Sequence, residues 1–226
     1  MRIIFPNRTS ANPLVTKILK QIPLGVFVFS ILSPIMNFVF ARFGWHFLSY
    51  RFGLSLEGIA SKHYWQFFTY SFVNSTSSVF SQGLLIKATL MYFVQQTMLN
   101  LFIKKIGNIK FILFWFMQIL SVALFSLFLM YSKSLGNTVY GILPFSIGLT
   151  TVGIFLDPQK KIGLPPLPIY FSVKWIALII VGFVFSVLIS QNQLITVFNS
   201  IISIGVAVLF CRMERIPNPY ISELSF

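Results

Sequence analysis

Apolar stretches long enough to cross a bilayer follow one another along this chain. Six are legible in its 226 residues, at 22–41, 83–103, 111–130, 139–156, 175–189 and 194–210. A spanning helix needs about 20 consecutive apolar residues, so six spans and their connections use nearly the whole length and leave no room for a separate soluble domain. Charge content agrees: only 9% of residues are Asp, Glu, Lys or Arg, against roughly 25% in a soluble domain. A chain so poor in charge cannot clothe a surface that faces water, and one that is 56% hydrophobic is not a disordered chain. The fold class that follows is an all-α membrane protein, a six-transmembrane-helix bundle.

The net charge of +13 would suggest nucleic acid in a soluble protein. Here the basic residues sit in segments that flank spans, which is the pattern of membrane orientation. With the N-terminus inside and six spans, the inside segments hold Arg2, Arg8, Lys17, Lys20, Lys104, Lys105, Lys110, Lys160, Lys161, Lys174, Arg212 and Arg215, 12 of the 17 basic residues. The excess predicts both termini in the cytoplasm. The organisation expected is a basic cytoplasmic segment over 1–21, a membrane domain over 22–210 and a cytoplasmic tail over 211–226. Residues 1–21 read as the flank of the first span, since no small-residue cleavage pattern follows. The Phe-rich, Lys-rich composition suggests a bacterial inner membrane.

The first loop, 42–82, is far longer than the others and is not polar: Trp45, Tyr50, Tyr64, Trp65, Phe67, Phe68 and Tyr70 give it the composition of a membrane interface. The inside loop 157–173 carries Pro158, Pro165, Pro166 and Pro168, which favour an extended path.

Chemistry has little to work with. Both histidines, His46 and His63, lie in the first loop, and none lies in a span. Two histidines near one carboxylate, Glu57, fall short of the three or four ligands a metal site uses, so no metal and no cofactor is expected. Cys211 stands alone, which excludes an internal disulfide. The acids all lie outside the spans, and the lone intramembrane cation, Lys87, sits near a span end where it can snorkel. Span polarity rests on Gln95, Gln96, Asn100 and Asn199, which either bond between helices in the ordinary way or line a binding surface. In span four, Gly136 and Gly141 permit close backbone approach and Pro144 suits a helix start. Ser200, Ser203, Gly205 and Ala207 in span six are small enough for a neighbouring helix to come close.

The stretch 64–210 resembles the rhomboid superfamily, six-span proteins that include intramembrane serine proteases and, among the derlins, members without catalytic residues. Trp65-Gln66-Phe67-Phe68-Thr69-Tyr70-Ser71-Phe72 resembles the Trp-Arg/Gln-x-x-Thr-x-x-Phe signature of the large first loop. The turn around Gly107 resembles the one between spans two and three, Tyr140-Gly141 resembles the Ser-Gly of Gly-x-Ser-Gly, and Gly205 the second Gly of the span-six stripe. The resemblance implies that Tyr140 stands where the proteases have their nucleophile and Phe198, beside Asn199, where they have the histidine base. Asn74 falls in the oxyanion-stabilising region, and Asn100 where a span-two Glu is common. A serine hydroxyl without a base is a poor nucleophile, and loss of both partners costs about a millionfold in rate. The implied function is that of a pseudoprotease binding the transmembrane segments of client membrane proteins, with Trp65, Asn74, Gln95, Gln96, Asn100, Tyr140, Gly141, Asn199 and Gly205 as its lining. The alternatives are an active protease of unrecognised mechanism and a small six-span transporter.

Overall fold

A computed structural model describes residues 13–42, 51–73, 82–133, 138–159, 161–163 and 170–219. Its long helices are α1 (Pro13–Arg42), α4 (Gln82–Lys105), α5 (Asn108–Lys133), α6 (Leu143–Leu156), α7 (Val173–Ser190) and α8 (Leu194–Met213). The first loop adds the short helices α2 (Leu56–Ala60) and α3 (Gln66–Thr69). Between α6 and α7 the proline-rich connection forms a ladder of β1 (Lys161–Gly163) and β2 (Tyr170–Ser172), antiparallel with Ile162 opposite Phe171.

Three helical segments, Pro13–Met36, Asn108–Ser132 and Leu194–Met213, are long and apolar enough to cross a membrane, with mean hydropathy of 1.7, 2.3 and 2.3. Leu143–Leu156 and Ala177–Ser190 are apolar but shorter. The outward faces are apolar as well. Along α5, Leu113, Phe116, Leu120, Leu124 and Phe128 recur at helical spacing and are exposed, and α7 exposes Leu178, Ile179 and Phe183. A continuous exterior of this kind suits hydrocarbon and not water. It points to a membrane protein.

The helices begin and end close to the apolar runs, with two differences. Helix α1 starts nine residues before residue 22, because Lys17 and Lys20 are exposed and add a solvated turn at no cost in burial. Helix α6 starts four residues after residue 139, because Val139 is used in a bridge to Leu54 and Gly141 has a positive φ of 99° that a helix does not accept.

Helix α6 is the centre. Twelve of its 14 residues are buried, so it is apolar all round, as a helix enclosed by others must be. It lies chiefly on α8 and α4, with α5 and α7 completing the surround. At one end of the bundle Phe102, Phe111, Phe114 and Phe210 form a fully buried cluster with ring centroids 5.1 to 5.6 Å apart. Aromatic pairs at such distances add about 0.5–1.5 kcal/mol each beyond area burial.

Three described helix ends close with a left-handed residue other than glycine, at the position that glycine usually takes. Lys62 has φ 64°, Asn192 φ 56° and Arg215 φ 56°. In each the next amide returns to a carbonyl five residues earlier: His63 to Gly58, Gln193 to Leu188, Ile216 to Cys211.

Candidate functional site

Loop one is locked by its own polar groups. Gln66 is fully buried; its Oε1 accepts from the Ser55 amide at 3.1 Å and its Nε2 donates to the Arg51 carbonyl at 3.4 Å. Ser55 in turn caps α2 through the Gly58 amide at 3.0 Å. Thr69 Oγ1 donates to the Phe52 carbonyl at 2.9 Å, and Trp65 Nε1 to the Arg51 carbonyl at 2.8 Å. Gly58 lies hard against the Gln66 side chain, so that any Cβ there would collide with it. Trp65, Gln66 and Thr69 thus all serve to fold one turn of loop back onto residues 51–55.

That loop is tied to the start of the central helix on both sides of Tyr140. Leu54 and Val139 exchange backbone hydrogen bonds of 3.1 and 2.8 Å, and the Gly141 amide donates to the Tyr70 carbonyl at 3.0 Å. The Tyr70 hydroxyl reaches across to the Ile119 carbonyl of α5 at 3.0 Å. Burial holds the Tyr70 phenol well above its ordinary pKa. Tyr140 itself is half-buried, and among the described residues it makes no hydrogen bond or ring contact.

Below this point a polar core joins four helices. Gln118 of α5 and Ser203 of α8 are fully buried. Gln118 Nε2 donates to the Ser203 carbonyl at 2.8 Å, and the Ser203 hydroxyl proton is shared between Gln118 Oε1 at 2.5 Å and the Pro144 carbonyl. Gly148 of α6 leaves the room for this junction. Gln95 Nε2 of α4 donates to Ser146 Oγ at 2.6 Å, and Ser146 Oγ donates to the Ile142 carbonyl at 3.1 Å. Ser126 Oγ of α5 meets Asn199 Oδ1 at 3.0 Å. Asn199 is fully buried and its Nδ2 has no acceptor among the described residues; Gln96 Oε1 is likewise unmatched.

Most of the proposed lining is thereby placed. Gln95 and Asn199 point inward and Gln96 is half-buried. Asn100 is exposed, five residues and about 140° round α4 from Gln95. Asn74 lies outside the described residues, as do His46 and Gly136, and nothing is described of the Lys87 side chain. Trp65 is exposed at the loop edge. Phe198 is exposed and the neighbouring Asn199 takes the inward place. Gly205 is also turned outward, with nothing within 4 Å of where a Cβ would stand. The packed stripe is Ser200, Ser203 and Ala207, all buried, at spacings of three and four. Gln118 escaped the sequence reading. A lone amide in the apolar run 111–130 was its signal, since an unpaired polar group in hydrocarbon costs several kcal/mol.

The chemistry available is that of hydrogen bonding. The partner of Ser146 is an amide, which donates a proton and cannot take one, so this serine is not activated. His63 stacks on Trp65 with centroids 4.7 Å apart. Among the described residues no three of His, Cys, Asp and Glu lie close enough to hold a metal ion. No protein-family model matches the chain, and no curated protein and no solved structure matches it either.

Proposed function

We propose that this chain is a rhomboid-like pseudoprotease that spans the membrane six times and binds transmembrane segments of client proteins without cleaving them. Both termini lie in the cytoplasm, on the positive-charge asymmetry, and composition favours a bacterial inner membrane. The observation that carries the reading is the clamp on Tyr140. The residue aligned with the nucleophile lies at the start of a short buried helix, held on either side by the large first loop. That helix packs on α8, whose inward side chain is an asparagine. Tyr140 and Phe198 stand at the positions where the resemblance puts a nucleophile and a base, and neither can serve as one; Asn199, beside Phe198, is the residue turned inward.

Client binding draws on the same groups. A transmembrane helix carrying a polar or helix-breaking residue has unmet hydrogen bonds in lipid. The unmatched Asn199 Nδ2 and Gln96 Oε1 are buried in the closed bundle, and become one donor and one acceptor for a client where helices part to admit it. Each such bond contributes about 0.6 kcal/mol on average, so recognition rests on several together and is weak and reversible.

The test is photocrosslinking from position 140 of the full-length chain in membranes. Single-span helices with a central Gly-Pro or Asn should crosslink and remain intact, while polyleucine helices should not. Equal crosslinking of both kinds would remove the binding reading, and cleaved product would remove the pseudoprotease reading.

A further inference from the structure

We infer that the basic end of the bundle is a docking surface for anionic phospholipid headgroups, an inference that rests on the chain being embedded in a bilayer. Four contacts gather one end of every long helix into a single rim. Asn108 Nδ2 donates to Thr16 Oγ1 at 2.7 Å, joining α1 to α5. Lys105 Nζ donates to the Leu156 carbonyl at 2.5 Å and lies 3.9 Å from Asp157, joining α4 to α6. Ser172 Oγ donates to the Pro158 carbonyl at 2.8 Å, bringing in the start of α7. Lys110 pairs with Glu214, joining α5 to α8.

These contacts use both acids described at this end, Asp157 and Glu214, on Lys105 and Lys110. Five further cations, Lys17, Lys20, Lys104, Arg212 and Arg215, are exposed on the same rim and have no acidic partner among the described residues. In the first loop at the opposite end the described residues carry two exposed cations, Arg51 and Lys62, with one acid, Glu57, so basic charge is sparser there. The rim is therefore one-signed, and the counter-charge that fits it is the phosphate of a lipid in the same leaflet. Arg215 adds a second observation. It occupies the left-handed position after α8, where glycine is the unstrained choice. An arginine there adds a second exposed cation three residues after Arg212, at a cost in backbone strain.

Selectivity is read from spin-labelled lipids around the reconstituted full-length chain. Phosphatidylglycerol should associate about fivefold more strongly than phosphatidylcholine, the scale of one Lys or Arg facing a charged headgroup. The preference should fade in 1 M salt, where charges are screened beyond about 3 Å. The double variant Arg212→Gln/Arg215→Gly should lose roughly half of it or more, while Lys62→Gln leaves it unchanged. Arg215→Gly alone should melt no lower than the parent chain, because glycine relieves the positive φ, so a lost preference there is not unfolding. Equal association of the two lipids overturns the inference. So does competition by millimolar inorganic phosphate, which would make the rim a soluble-anion site. No immobilised lipid of either kind would instead overturn the membrane reading beneath it.

Discussion

Replacing Gly148 with alanine tests the polar junction at the centre of the bundle. An added Cβ would stand 2.5 Å from Gln118 Nε2, 2.5 Å from Ser203 Oγ and 2.8 Å from Gln118 Cδ. Ordinary contact is about 3.5–4.0 Å, so the overlap is about 1 Å against two side chains that are themselves fully buried. Neither can withdraw without breaking the bonds that join α5, α6 and α8. Overpacking costs about 1–3 kcal/mol, and two displaced interhelical hydrogen bonds add about 0.6 kcal/mol each. Gly148→Ala should therefore destabilise by about 2–4 kcal/mol. The assay is reversible unfolding in mixed micelles titrated with denaturing detergent, followed by tryptophan fluorescence. The three nearest atoms all belong to Gln118 and Ser203, so in a Gln118→Ala/Ser203→Ala background the added methyl should cost less than about 1 kcal/mol. Such coupling is the expected mark of groups in contact. A cost below about 0.5 kcal/mol in the parent chain, or an equal cost in both backgrounds, would refute the geometry.

Other outcomes follow from single contacts. Gln66→Leu should cost about 2–3 kcal/mol, since it strands the buried Ser55 amide; loss of loop-one protection in hydrogen exchange would report it. Lys62→Gly should raise stability by about 0.5–1 kcal/mol by taking the left-handed position without strain, seen as a higher melting temperature. Because burial raises the Tyr70 pKa above the unfolded value of about 10, the stability tied to its neutral form is full below pH 10 and is lost as pH rises beyond it. Tyr70→Phe should flatten that alkaline loss in a pH series of melting temperatures. Lys105→Met should cost about 1 kcal/mol in the same unfolding assay, the pair being partly exposed and the α6 carbonyl losing its donor.

The helices were legible because hydrocarbon demands apolar runs, and α8 begins at the residue where its run begins. What a run cannot carry is rotation. One residue turns a helix by about 100°, so Phe198 and Asn199 look interchangeable in sequence while one faces out and the other in. The same ambiguity grouped Gly205 with Ser200, Ser203 and Ala207, of which only the last three form the buried stripe. The start of α6 was hidden because Val139 pairs with Leu54, 85 residues away in sequence. Trp65, Gln66 and Thr69 stood out in the sequence, whereas their partners, the carbonyls of Arg51 and Phe52, carry no side-chain signal.

The six-span arrangement is tested most directly by single-cysteine labelling of intact and permeabilised membranes. In a Cys211→Ala background, Lys62→Cys and Asn192→Cys should react with an impermeant maleimide from outside. Gln159→Cys and Arg215→Cys should react only after permeabilisation, since α6 and α7 each cross once. Labelling of Gln159→Cys from the same side as Asn192→Cys would mean that α6 and α7 do not each cross, and would contradict the architecture on which client binding is proposed.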